Sequence, residues 1–90
     1  MAMAFDLART LADDLVQAAA RTANDEYALI DTETEEYDGG WVFFYNTKEF
    51  LETGDYTRAL AGNGPIYVDK FGRVHRLPTA IPWQEAIKSV

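Results

Sequence analysis

Residues Trp41 to Asn46, WVFFYN, put apolar or aromatic side chains on both phases of a β-strand, and a strand of that kind belongs in the interior of a sheet. The fold has to be assembled around it. Directly before it, Asp38-Gly39-Gly40 supplies a turn, and before the turn runs EYALIDTETEEY, a β-compatible alternation. There Asp31, Glu33 and Glu35 share one phase, while Ala28, Ile30, Thr32 and Thr34 share the other. The two segments read as a hairpin with one acidic face and one face available for burial.

At the start of the chain Phe5, Ala8, Leu11, Ala12, Leu15, Val16 and Ala19 recur at helical spacing, with Asp6, Arg9, Asp13, Asp14 and Gln17 on the other faces. This pattern predicts a helix packed on the core, because a membrane-surface helix carries lysine and arginine on its polar side. Asn46 with Glu49 three residues on has the form of a reciprocal helix cap, opening a short helix through Phe50 and Leu51 that Gly54 stops. AGNGP then marks a turn, IYVD a strand, KFG a second turn and RVHRL its hairpin partner, ended by Pro78. Pro82 stands at the first position of a closing helix, PWQEAIKSV, whose apolar face is Trp83, Ala86 and Ile87. This order predicts an α+β fold: an antiparallel sheet of about four strands, with an N-terminal helix, a short middle helix and a C-terminal helix on one face. Ninety residues at 48% hydrophobic content fit one domain over 1–90.

Fifteen acidic against eight basic side chains give a net charge of -7, which disfavours nucleic acid and anionic membranes as partners and favours basic proteins. The chain has no cysteine, and Asp6, Arg9, Asp13 and Asp14 interrupt any signal-peptide core or membrane span near the start, so a soluble cytoplasmic protein is expected. Metal and catalytic motifs fail one by one. An EF-hand counted from Asp31 needs glycine at its sixth position and glutamate at its twelfth, where this chain has Glu36 and Val42. His75 is the sole histidine and Ser89 the sole serine, close to the end, so no nucleophilic triad is indicated. The acids are crowded and lack the apolar surroundings that would tune an acid–base pair. Gly62 and Gly64 are followed by Pro65 and Ile66 instead of a phosphate-cradling helix start. No enzyme, metal or cofactor is expected, and Trp41, Phe43, Phe44, Tyr45 and Trp83 read as core.

Seven acids fall between Asp25 and Asp38 with no basic residue among them. Like charges on neighbouring sheet positions cost about 0.2–1 kcal/mol per close pair. Two readings are open: solubility, or a face complementary to a basic protein. GGWVFFYNT, GD and LAGNGPIYVDKFGRVHRLPTAIPWQEAI resemble the immunity-protein-35 family, also described as the YrhB-like domain, of bacterial toxin-immunity systems, over about Tyr27 to Ile87. The resemblance implies a non-catalytic protein that binds and neutralises a cognate protein toxin. Its motif positions, Gly40, Trp41, Gly62, Asn63, Gly64 and Pro65, are explained by folding. The contact is therefore expected at Asp31, Glu33, Glu35, Glu36 and Asp38, with Tyr37 as an aromatic anchor. The alternative is a chaperone-like or regulatory protein-binding module using a sheet edge or an exposed aromatic groove.

Overall fold

In a computed structural model of the chain, which describes residues 3–60 and 63–90, α1 spans Phe5–Ala23 and buries Ala8, Ala12, Val16 and Ala20. These lie four apart on one stripe, and three of the four are alanines, so the helix can lie close against what it covers. It ends where Asn24 takes the left-handed conformation, φ 54°, a conformation asparagine tolerates better than most residues. The strands are β1 (Tyr27–Leu29), β2 (Glu35–Tyr37), β3 (Gly40–Phe43), β4 (Tyr45–Thr47), β5 (Ile66–Val68) and β6 (Val74–Arg76). They form a four-stranded antiparallel sheet in the order β2-β3-β5-β6 and a two-stranded ribbon, β1-β4. The short helices α2 (Lys48–Thr53) and α3 (Trp83–Ala86) complete the mixed α+β architecture predicted from the sequence.

β3 occupies the interior position that its residues demand, and the consequence reaches further than expected. Phe43, Ile66 and Val68 face α1 and pack with Tyr27 and Leu29. Val42 and Tyr67 point the other way, against Leu77, Ala86 and Ile87, with Tyr37, Phe44 and Trp83 around them. The helices therefore cover both faces of the sheet, not one. An interior strand apolar on both phases leaves no face that water could occupy without cost.

The expected single hairpin is instead two ribbons. Tyr27 pairs with Thr47 and Leu29 with Tyr45, whereas Glu35 pairs with Val42 and Tyr37 with Gly40. Five residues separate the two pairings on the first side of the hairpin and two on the other. The excess of three is taken up by a 3-10 turn, Asp31–Glu33. Ile30 N–H still bonds Phe44 O (2.8 Å), and Glu33 N–H then closes the turn onto Ile30 O (2.9 Å). WVFFYN is accordingly divided at Phe44 between β3 and β4.

Two helix starts also differ from expectation. Thr47, not Asn46, caps α2: its Oγ1 accepts from Phe50 N–H (3.0 Å) and donates to Arg58 O (2.8 Å). Asn46 Oδ1 instead accepts from the Thr47 and Leu60 amides, and the Glu49 carboxylate lies 3.5 Å from Arg58. Pro82 is the residue before α3, its carbonyl accepting from Glu85 and Ala86 N–H. Gly54 ends α2 at φ 73°, as its position suggested. Of the AGNGP turn, Ala61 and Gly62 lie outside the described residues. Asn63 Nδ2 ties the turn's far side to Tyr45 O at 2.8 Å.

Two glycines permit close backbone approaches. A Cβ on Gly40 would collide with the Val68 carbonyl, and one on Gly64 with the Leu77 carbonyl. A backbone carbonyl held by its neighbours cannot step aside as a flexible side chain can. Gly40→Ala and Gly64→Ala are each expected to lower unfolding stability by about 1–3 kcal/mol in urea titrations, while Gly54→Ala, at a site with open space around it, costs only its positive φ.

Candidate protein-docking surface

Asp31, Glu33, Glu35, Glu36 and Asp38 are all exposed, but they do not form the single ladder that alternation suggested. Asp31 and Glu33 sit on the 3-10 turn, Glu35 and Glu36 on edge strand β2, and Asp38 in the turn that follows. Glu36 lies opposite Trp41 and so belongs to the side that α1 covers. Glu35 lies opposite Val42 and belongs to the side that α3 covers. The acids thus line an edge and its approach, where they can meet a partner from either face.

Asp31 differs from the other four. Its two carboxylate oxygens accept from Arg9 Nε (2.8 Å) and Nη2 (2.9 Å) of α1. The Arg9 hydrogen bonds hold the Asp31 carboxyl below its ordinary range, against the opposing effect of burial. The pair is solvent-exposed, with relative side-chain exposures of 40% and 57%, so it pins the turn to α1 more than it stabilises the protein. Glu33, Glu35, Glu36 and Asp38 take part in none of the ion pairs formed among the described residues.

Asp38 (φ 46°) and Gly39 (φ 78°) make a two-residue turn with both central residues left-handed, the geometry that matches strand twist and favours Asp-Gly. Tyr37 is half-buried. Its ring meets Tyr67 edge-on at 6.0 Å and Trp83 at 6.4 Å between centroids, and its carbonyl receives the Tyr67 hydroxyl at 3.4 Å. Tyr37 therefore ties β2 to the α3-side core, which fixes the acidic edge in place. Burial, with Asp38 and Asp69 nearby, pushes the Tyr67 hydroxyl pKa up.

Asp38 shares a shallow hollow with Tyr67, Asp69, Lys70, Phe71, Arg73 and His75, a grouping the sequence did not disclose. Asp69 Oδ1 accepts from the Phe71 (2.9 Å) and Arg73 (3.0 Å) amides, and its Oδ2 lies 2.9 Å from His75 Nε2. The His75 ring stacks on Tyr67 with centroids 5.6 Å apart. Among the described residues, His75 has no side-chain hydrogen bond except to Asp69. The group therefore shapes the turn and presents no activated hydroxyl. Aspartate three places before glycine in DKFG is a legible turn signal, but the pairing of Tyr67 with His75 needs the strand register. Among the described residues no three histidine, aspartate or glutamate side chains are placed to hold a metal ion, and no helix is long and apolar enough to cross a membrane.

Comparison with known proteins bears on the family of the chain. The family profile described as Immunity protein 35 matches residues 6–89, and the chain belongs to that family. It is also 48% identical over 50 residues to the uncharacterized protein YrhB of Escherichia coli (strain K12), an alignment covering 54% of this chain and 53% of that protein. The chain thus spans about half the length of this curated relative. No solved structure matches it.

Burial alone would raise the Asp69 carboxyl, but the hydrogen bonds from His75, Arg73 and Phe71 outweigh it and leave it below its ordinary value of 3.8. A carboxylate lowered by folding contributes stability that is complete above that ordinary value and is lost as pH falls through the lowered one. Asp69→Asn is therefore expected to cost about 1–2 kcal/mol at neutral pH. Its deficit in urea midpoint should shrink as the solution is acidified below 3.8; a deficit constant across that range would contradict this role.

Proposed function

We propose that the chain is a non-catalytic bacterial immunity protein that binds and neutralises a cognate toxin domain, docking through the acidic edge formed by Asp31, Glu33, Glu35, Glu36 and Asp38 with Tyr37 behind it. Membership of the Immunity protein 35 family supports the role. The observation that carries the choice of surface is that Glu33, Glu35, Glu36 and Asp38 are exposed and free of cationic partners among the described residues. A surface meant only to stay soluble gains from interspersing both signs of charge. Here one sign is concentrated on a braced edge, and a concentrated field of that kind raises encounter rates with a basic partner. The protein acts by occupying the toxin's active site or a surface that the toxin needs, and it works in the cytoplasm. β2 is also an open sheet edge, so main-chain pairing can accompany the electrostatic attraction.

A chaperone-like or regulatory module is the second reading, and the exposure of Tyr56 (83%) and Phe71 (71%) is what favours it. A single stoichiometric partner in pull-downs supports immunity; many unrelated unfolded partners support the module.

With a cognate toxin, Glu33→Lys combined with Glu35→Lys should slow association roughly tenfold or more at low salt and flatten its dependence on ionic strength. Asp31→Asn should have a smaller effect, because Arg9 already neutralises that carboxylate. An association rate and salt slope unchanged in the double variant would show that the toxin docks elsewhere.

A further inference from the structure

We propose that the opposite edge of the sheet, β6 with the hairpin tip that leads into it, is a second docking surface whose occupant is an extended acidic segment of a partner protein, added as a further strand. This inference does not rest on the toxin reading, since β2 and β6 are the two separate edges of the order β2-β3-β5-β6.

The backbone supplies the first argument. Leu77 N–H bonds Pro65 O (2.9 Å), and Arg73 O accepts from Asp69 N–H (3.0 Å). In an antiparallel ladder successive residues turn their main-chain groups alternately toward and away from the neighbouring strand. Positions 73, 75 and 77 therefore face β5, and the N–H and C=O groups of Val74 and Arg76 point to the open side. Those groups are a template for strand addition.

Charge selects the occupant. Lys70, Arg73 and Arg76 are exposed, and none takes part in an ion pair among the described residues. Three of the chain's eight lysines and arginines thus fall within KFGRVHR, residues 70–76, a stretch with no carboxylate in a chain of net charge -7. Asp38 and Asp69 border the tip, but Asp69 is paired with His75, and neither carboxylate forms an ion pair with Lys70, Arg73 or Arg76 among the described residues. At the tip Phe71 is 71% exposed, with Lys70 Nζ and the Arg73 guanidinium each 5.5 Å from its ring centroid. Val74 adds a second apolar contact at 39% exposure. Arginine beside an exposed aromatic ring is the composition of an interface anchor. Nucleic acid has no peptide groups to pair with Val74 and Arg76, and the chain's overall charge repels it.

The test uses the full chain, isotope-labelled, and an end-blocked hexapeptide alternating valine and glutamate. Amide shifts should be confined to residues 70–76, with slowed hydrogen exchange at Val74 and Arg76. Arg73→Glu combined with Arg76→Glu should weaken binding about tenfold or more. Phe71→Ala, which disturbs no buried contact, should weaken it too. Glu33→Gln with Glu35→Gln should leave it unchanged, which separates this site from the acidic edge. Shifts spread over the rest of the surface would overturn the proposal. So would equal affinity for a peptide alternating proline and glutamate, which lacks half the N–H groups. Equal competition by an oligonucleotide of the same charge would make the site a general polyanion surface, and concentration-dependent shifts at β6 without peptide would make its occupant a second copy of the chain; either result contradicts the assignment.

Discussion

Burial of β3 on both sides is the constraint from which the remaining architecture follows. Phe43 and Val42 point in opposite directions and are both fully buried, so one cover is not enough. α1 supplies one with its alanine-rich stripe, and α3 with Leu77 and Ile87 supplies the other. Because α3 is only four residues long, that second cover is extended by Tyr37 and Phe44, which pack around its Trp83. Val42 and Phe43 therefore couple helices at both ends of the chain to one strand.

The same constraint determines where the acids go. Strand β3 must keep its register with β5, Trp41 opposite Val68 and Phe43 opposite Ile66, while β4 leaves the sheet to pair with β1. The first arm of the hairpin accommodates that departure with the Asp31–Glu33 turn. An odd number of inserted residues reverses which way the following side chains point. Arg9 reaching Asp31 from α1 anchors the turn at its outer side. The acidic residues are thereby distributed along a corner and an edge instead of across a face.

Much of the fold was legible in the sequence because its signals are local. Spacing defined α1, Asp38-Gly39-Gly40 and KFG marked two turns, although Gly40 begins β3 and Asp69 lies in the second turn instead of the strand, and Gly54 defined the end of α2. The departures all depend on partners distant along the chain. Nothing within EYALIDTETEEY says that its two ends pair with different strands, since alternation continues through the turn. Asn46 and Thr47 are both acceptable caps by composition, and the choice is made by Leu60 and Arg58, which claim Asn46 Oδ1 and the Thr47 hydroxyl respectively. The acidic residues themselves could be named from sequence. Their division between the Arg9-bound Asp31 and four carboxylates without an ion pair among the described residues could not, and neither could the cationic character of the β6 edge, because net charge conceals a local excess of the opposite sign.

The two edges now describe a molecule with polar ends to one sheet: β2 negative and braced by Tyr37, β6 positive and tipped by Phe71. The proposed toxin docks on the negative edge. Hydrogen-exchange mass spectrometry on the complex with the proposed toxin partner tests that placement. Slowed exchange is expected over residues 31–38, with the amides of α2 unaffected. Protection confined to α2 or to the outer side of α1, with residues 31–38 exchanging as in the free protein, would contradict it.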